Sequence, residues 1–198
     1  MADDLPVPVY VAGPDGFTPA GLQWHRQILL PALEAAGLDP LSPWGAHSAV
    51  TALAAGAGAG ALGPGAPDSG APDPGTPDVE FAEIEAMPAG PERLMRYQDV
   101  DHRTGAANAA LIDRSRGMLA VLDGPDVDSG TAAEIGYAAR GGIPVVGLRT
   151  DSRRTGDNEG VTVNLQVEFF IHLSGGSVHR QLHPAIVELA SLLRPATG

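Results

Sequence analysis

Three short apolar runs restrict how this chain can fold, Val7–Ala12, Met118–Leu122 and Ile143–Leu148, and the short Leu38–Pro43 is a candidate for a second strand. Each is too short for a core helix, and continuous apolar runs of this length suit strands buried on both faces. Helical patterns separate them. From about Pro19 to Ala36, apolar Leu22, Ile28, Leu29, Leu33 and Ala36 recur at three- and four-residue spacing. Pro31 within that pattern predicts a kink or a divided helix, and Gly37 predicts its C-terminal cap. Arg93 to about Arg116 reads as one long helix, or two interrupted near Gly105. Thr131–Arg140 reads as a helix with small residues on one face, ended by Gly141 and Gly142. Thr150–Gly160 is a polar loop, and Asn164–Leu173 and Pro184–Leu193 are further helices. Strands alternating with helices predict a doubly wound parallel α/β sheet, Rossmann-like or flavodoxin-like, with helices on both faces. Ligands of such sheets bind beyond the C-terminal strand ends, and Tyr10, Asp123, Asp128 and the loop after Leu148 fall at that edge.

Residues 45–79 interrupt the pattern with low-complexity Ala, Gly, Pro and Asp. They offer little apolar surface to offset the entropy of ordering, so a flexible insertion in a single domain of 198 residues is expected. A lid over the site is the functional alternative. The net charge of −12 argues against nucleic acid polymers and anionic membrane surfaces as partners. The chain has no cysteine, which excludes disulfides, a thiolate nucleophile and Cys-ligated metals. The segment MADDLPVPVYVAG lacks a basic region followed by a long apolar core, so no secretory signal is expected and a cytoplasmic protein is the default.

The chemistry concentrates in LDGPDVDSGTAAEIGYA, Leu122–Ala138, where a buried strand gives way to a helix. Asp128 and Glu134 flank Gly130, Thr131 and Ala132, and a turn this narrow lets a small ligand approach the backbone. Glu134 near a helix N-terminus is expected to be ionised and suited to displacing a leaving group from an anomeric carbon. Gly130, four residues earlier on the same face, leaves space in front of it. Asp128 serves as an acceptor for hydroxyls or as the helix cap. Asp123 lies at the strand end, and Asp126 reads as a turn residue. Tyr10 interrupts an apolar strand with a hydroxyl that needs a partner, either Glu134 or a backbone carbonyl. Asn108 and Asn164 can each donate and accept towards a base or a sugar. The six histidines show no metal-ligand spacing, and no G-x-G-x-x-G follows a strand. Neither a metal nor another cofactor is expected.

These segments together resemble the nucleoside 2-deoxyribosyltransferase family. VYVAGPDGF is similar to its first strand and loop, NAALI (Asn108–Ile112) to the helix before its catalytic strand, and LDGPDVDSGTAAEIGYA to its catalytic turn. GIPVVGLRTD and VNLQVEFF resemble the next strand and an Asn-bearing helix. The resemblance implies an N-glycosyltransferase acting on small nucleosides and nucleobases. Glu134 would be the nucleophile forming a glycosyl-enzyme, and Tyr10 would orient it. Asp128 would bind the sugar 5′-hydroxyl, together with Asn164 contributed by a neighbouring subunit of a homo-oligomer. Asn108, Asp123, Gly13, Gly130 and Thr131 complete the expected substrate-binding set. Asn108 departs from the acidic, base-protonating residue of some members; water, Asp101 or Asp113 would then have to supply the proton. Two rivals remain at this stage: hydrolysis of a nucleoside 5′-monophosphate, and a non-catalytic nucleotide sensor on the same fold.

Overall fold

The computed structural model describes residues 5–44 and 77–194. The expected insertion lies outside the described residues up to residue 76. Its expected end is corrected: a helix begins at Pro77, inside the stretch that composition assigned to the insertion. The chain divides into two compact units, Met1–Ser42 with Ile112–Gly198, and Pro43–Leu111.

The first unit carries a five-stranded parallel sheet of order β2-β1-β3-β4-β5. Its strands are β1 (Val7–Ala12), β2 (Leu38–Leu41), β3 (Gly117–Val121), β4 (Val145–Leu148) and β5 (Val178–His179). This is a doubly wound α/β fold of the flavodoxin-like order, as the alternation predicts. The first helical stretch has three parts: α1 (Pro19–Trp24), a π-helical turn (His25–Leu29) and α2 (Leu30–Ala35). Leu30 N donates to His25 O, one residue further back than in an α-helix. The widened turn comes just before Pro31, which has no N–H and whose ring would clash with the carbonyl four residues earlier. The expected break is thus absorbed without ending the helix. Gly37 caps it at φ 80°, and its carbonyl accepts from Val7 N at 3.2 Å.

Three helices complete the first unit: α5 (Ser129–Arg140), α6 (Leu165–Leu173) and α7 (Leu182–Leu193). Side chains alternate along β1, β3 and β4 between two cores. Val9, Val11, Leu119, Val121, Val146 and Leu148 pack with Leu29, Leu33, Ala185, Ile186, Leu189 and Leu193 on the face covered by α2 and α7. Complete burial of such a side chain contributes about 1.5–3 kcal/mol. Tyr10, Met118, Ala120, Leu122 and Val145, also fully buried, turn to the face covered by α5 and α6, which adds Ile135, Ala138 and Ile171. The two-residue β5 was not expected, being too short for any periodic signal.

The second unit holds α3 (Pro77–Glu85) and most of α4 (Pro91–Arg114). α4 is continuous through Gly105, which decides for one long helix over two. One interior glycine costs about 1 kcal/mol, too little to break a helix this long. Within this unit the rings of Phe81 and Tyr97 stack at 6.1 Å, and Arg103 pairs with Glu80 at 2.6 Å and Asp99 at 3.1 Å.

Close backbone approach makes one glycine decisive. A Cβ on Gly176 would lie 2.0 Å from Val145 O, so any side chain there must push the entry to β5 off β4. Gly176→Ala is expected to destabilise by about 3 kcal/mol, the upper end of overpacking costs because the obstacle is backbone. Urea unfolding measures this; a loss within error of zero refutes the packing.

Candidate active site

β1 connects towards β2 and β3 towards β4, so the chain leaves these neighbouring strands in opposite directions. This is the topological switch point at which open parallel sheets place their ligands. Tyr10, on β1, and Glu134, on α5 just after β3, meet there. The Tyr10 hydroxyl donates to Glu134 Oε1 at 2.7 Å, which decides between the two partners the sequence allowed.

α5 starts where it does because Asp128 caps it. The Asp128 carboxylate accepts from Thr131 N at 2.9 Å and from the Thr131 hydroxyl at 3.1 Å. A Cβ on Gly130 would stand 3.1 Å from Asp128 Oδ2. The space that Gly130 leaves therefore adjoins Asp128. Gly13 serves a comparable purpose on the β1 side: a Cβ there would lie 2.8 Å from Val121 Cβ, so only glycine lets the β1 loop close against β3.

Glu134 departs from the expectation of a readily ionised carboxylate. Burial pushes its carboxyl up to about 7; the hydrogen bond from Tyr10 opposes this, and the charge of Asp128 adds to it. The helix N-terminus does not compensate, because Glu134 is the sixth residue of α5 and the dipole's effect fades within the first turn. Burial, then the charge of Glu134 and the bond to it, hold the Tyr10 proton far above its ordinary range, so Tyr10 remains a donor.

The remaining predicted residues are placed as follows. Asp123 faces the loop after β4: Oδ2 accepts from the Thr150 hydroxyl and Oδ1 from Asp151 N at 2.8 Å. Asp126 accepts from Val127 N at 2.8 Å, as a turn residue does. Asn164 caps α6 by accepting from Gln166 N at 3.0 Å. Asn108 is half-buried on α4, within the second unit. Asp113 is exposed and receives the Tyr137 hydroxyl on both oxygens, at 3.0 and 3.1 Å.

Sequence reasoning missed two constellations. Arg149, fully buried just after β4, donates to backbone carbonyls, which no sequence pattern announces. The second is a row of Asp15, His25 and Ser42. His25 Nδ1 lies 3.2 Å from Asp15 Oδ2, and Nε2 lies 2.7 Å from Ser42 Oγ. The order is that of a hydrolase relay, but His25 is 1% and Ser42 7% exposed, so substrate does not reach them. They act as a strut holding the β1 exit loop to the end of β2. The position of His25 four residues before buried Leu29 was the available signal.

A sequence profile of the nucleoside 2-deoxyribosyltransferase family matches residues 9–166. The chain belongs to this family. Among relatives, an uncharacterized protein of Schizosaccharomyces pombe is 28% identical over 155 residues, spanning 56% of this chain and 70% of the relative. A conserved protein of Enterococcus faecalis has a similar structure, with TM-score 0.56 and 22% identity over 94% of this chain and 98% of that one. A 2-desoxiribosyltransferase of Leishmania mexicana aligns with TM-score 0.52 and 19% identity over the same shares. At these identities the structural likeness establishes the fold. The matched span includes Tyr10, Asp128 and Glu134. Family membership implies a glycosyltransferase-type enzyme acting on small nucleoside substrates. Among the described residues, no helix is long and apolar enough to cross a membrane, and no three His, Asp or Glu side chains group as metal ligands.

The upward shift at Glu134 has a consequence for stability. Between about 4.5 and about 7 the native state holds a proton that the unfolded chain releases. This contribution is complete below the lower value and is lost as pH rises through the upper one. Glu134→Gln removes the titration while keeping an acceptor for Tyr10. The melting temperature of the variant minus that of wild type is expected to rise from about pH 5 to about pH 8. A difference independent of pH contradicts the shift.

Proposed function

We propose that this protein transfers the sugar of a 2-deoxynucleoside between bases through a covalent glycosyl-Glu134 intermediate. The observation that carries the reading is the 2.7 Å hydrogen bond from Tyr10 to Glu134 at the β1/β3 switch point. One Glu134 oxygen is held by a hydroxyl that keeps its proton, and this fixes the direction of the carboxylate. In its ionised form Glu134 attacks C1′ of the nucleoside as the C1′–N bond breaks, and the bonding pair leaves with the base. The transition state has oxocarbenium character, which the negative charges of Glu134 and Asp128 stabilise. A second base then attacks C1′ from the opposite side, releases Glu134 and restores the original configuration. Water in place of the second base gives hydrolysis.

Asp128 is the proposed ligand of the sugar 5′-hydroxyl. It disfavours a 5′-phosphate, since like charges about 4 Å apart repel by about 4 kcal/mol at an effective dielectric near 20. Asp113 is a poor source of the proton for the leaving base, because Tyr137 occupies both its oxygens. Glu134→Ala is expected to abolish transfer without unfolding the protein, and Asp128→Ser to narrow the preference for nucleosides over their monophosphates. Chromatography of a nucleoside and base panel reads both. Activity of the Ala variant within about tenfold of wild type removes the nucleophile role, since covalent catalysis accounts for far more than that. Faster turnover of monophosphates by wild type overturns the nucleoside reading in favour of a hydrolase.

The site is proposed to lie near a subunit interface. On α6, Val167 and Ile171 are buried and face the core. The exposed stripe is Leu165, Phe169 and Leu173, on one helical face at 50%, 53% and 61% exposure. Asn164 begins the same helix. A second copy covering this stripe would bring Asn164 towards its partner's sugar site. Light scattering at micromolar concentration is expected to give at least twice the chain mass. A fully active monomer refutes the shared site.

A further inference from the structure

The loops that leave β3 and β4 hold each other reciprocally. Arg149, the residue after β4, is fully buried. Its Nη1 donates to Leu122 O, and its Nη2 donates to Gly124 O and Arg153 O, each at 3.0 Å. In the opposite direction, Asp123 accepts from the Thr150 hydroxyl and from Asp151 N. A side chain of the β4 loop thus grips the backbone of the β3 loop, and a side chain of the β3 loop grips the backbone of the β4 loop. The guanidinium is rigid and planar, so its acceptors are fixed relative to one another; a lysine ammonium has neither the fork nor the span. Gly124 presents its carbonyl from φ 127°, a conformation open to glycine and strained for other residues. Four residues beyond Gly124, Asp128 caps α5, and Glu134 follows in the second turn. Everything between this grip and the acid pair is one short stretch of chain.

We propose that Arg149 and Asp123 form a clasp that positions the Asp128–Glu134 turn against Tyr10, with Arg149 a positioning residue for the reaction. Asp123 then belongs to the clasp rather than to the substrate-binding set. The kinetic part of this inference rests on the sugar-transfer reading; the positional part does not. A bare structural role for Arg149 lowers stability and leaves Glu134 unchanged in every molecule that folds. Positioning changes the burial of Glu134 and hence its titration, and it changes the chemical step more than substrate binding.

The experiment compares wild type, Arg149→Lys and the milder Thr150→Val. Circular dichroism checks folding, and carboxyl-carbon NMR follows Glu134, assigned by its loss in Glu134→Gln. In wild type, burial pushes the Glu134 carboxyl up to about 7. In folded Arg149→Lys the midpoint is expected to fall by roughly half a pH unit or more, towards the value of an exposed glutamate. The kcat of transfer is expected to fall by about tenfold or more with KM within about threefold, as for a small misplacement of a reacting group. Thr150→Val changes both in the same direction by less. An unchanged midpoint or an unchanged kcat in folded Arg149→Lys overturns the proposal. Should Arg149→Lys not fold, Thr150→Val decides by the same two readouts. Should wild type show no transfer, the sugar-transfer reading fails on its own account and the titration alone decides the clasp.

Discussion

β1 and β3 are hydrogen-bonded neighbours in register, Tyr10 opposite Met118 and Ala12 opposite Ala120, and the chain departs from them to opposite sides. The divergence leaves their C-terminal ends uncovered by any direct connection. Whatever stands at those ends faces the open side of the sheet on a rigid support. Tyr10 and Glu134 are 124 positions apart in the chain, and this strand pairing brings them within one hydrogen bond. The β1 loop is anchored through His25 and the β3 loop through Arg149. Both anchors are buried polar groups: His25 is bonded at both ring nitrogens, and Arg149 donates from its two terminal nitrogens to backbone carbonyls, an arrangement that stiffens loops where water would otherwise compete.

The buried carboxyl at the centre carries a trade. In the proposed mechanism, a site dry enough to strengthen Coulomb forces on a developing cation also resists ionisation of the attacking carboxylate. The Tyr10 hydroxyl offsets part of that resistance by donating to the charged form. Replacing Tyr10 by a group without a donor would therefore remove both the aim of Glu134 and part of its charge.

The sheet was legible because strands buried on both faces leave continuous apolar runs, and β1, β3 and β4 have them; β2, with exposed Asp39, showed only as a short stretch after the Gly37 cap. β5 did not, since a two-residue edge strand has no period. α3 was hidden because Pro77 and Asp78 continue the composition of the preceding stretch. The acid pair was legible from its spacing about a glycine turn, and Tyr10 from a hydroxyl in an apolar strand. Arg149 was not, because its partners are carbonyls, which every residue possesses. Likewise the ionisation of Glu134 followed depth rather than position along α5, and depth is a property of the packed molecule.

The π-helical turn has a further meaning. In a regular α-helix each residue rotates by about 100°, so a series spaced by four drifts steadily around the axis. His25, Leu29 and Leu33 are spaced by four, yet all three are buried. The wider turn cancels part of the drift and keeps the imidazole in line with the two leucines. The helix in effect contains one residue more than its straight form needs. Deleting a residue within the turn would leave α2 seated on the sheet and swing His25 around towards solvent, unfastening the β1 loop with the core intact.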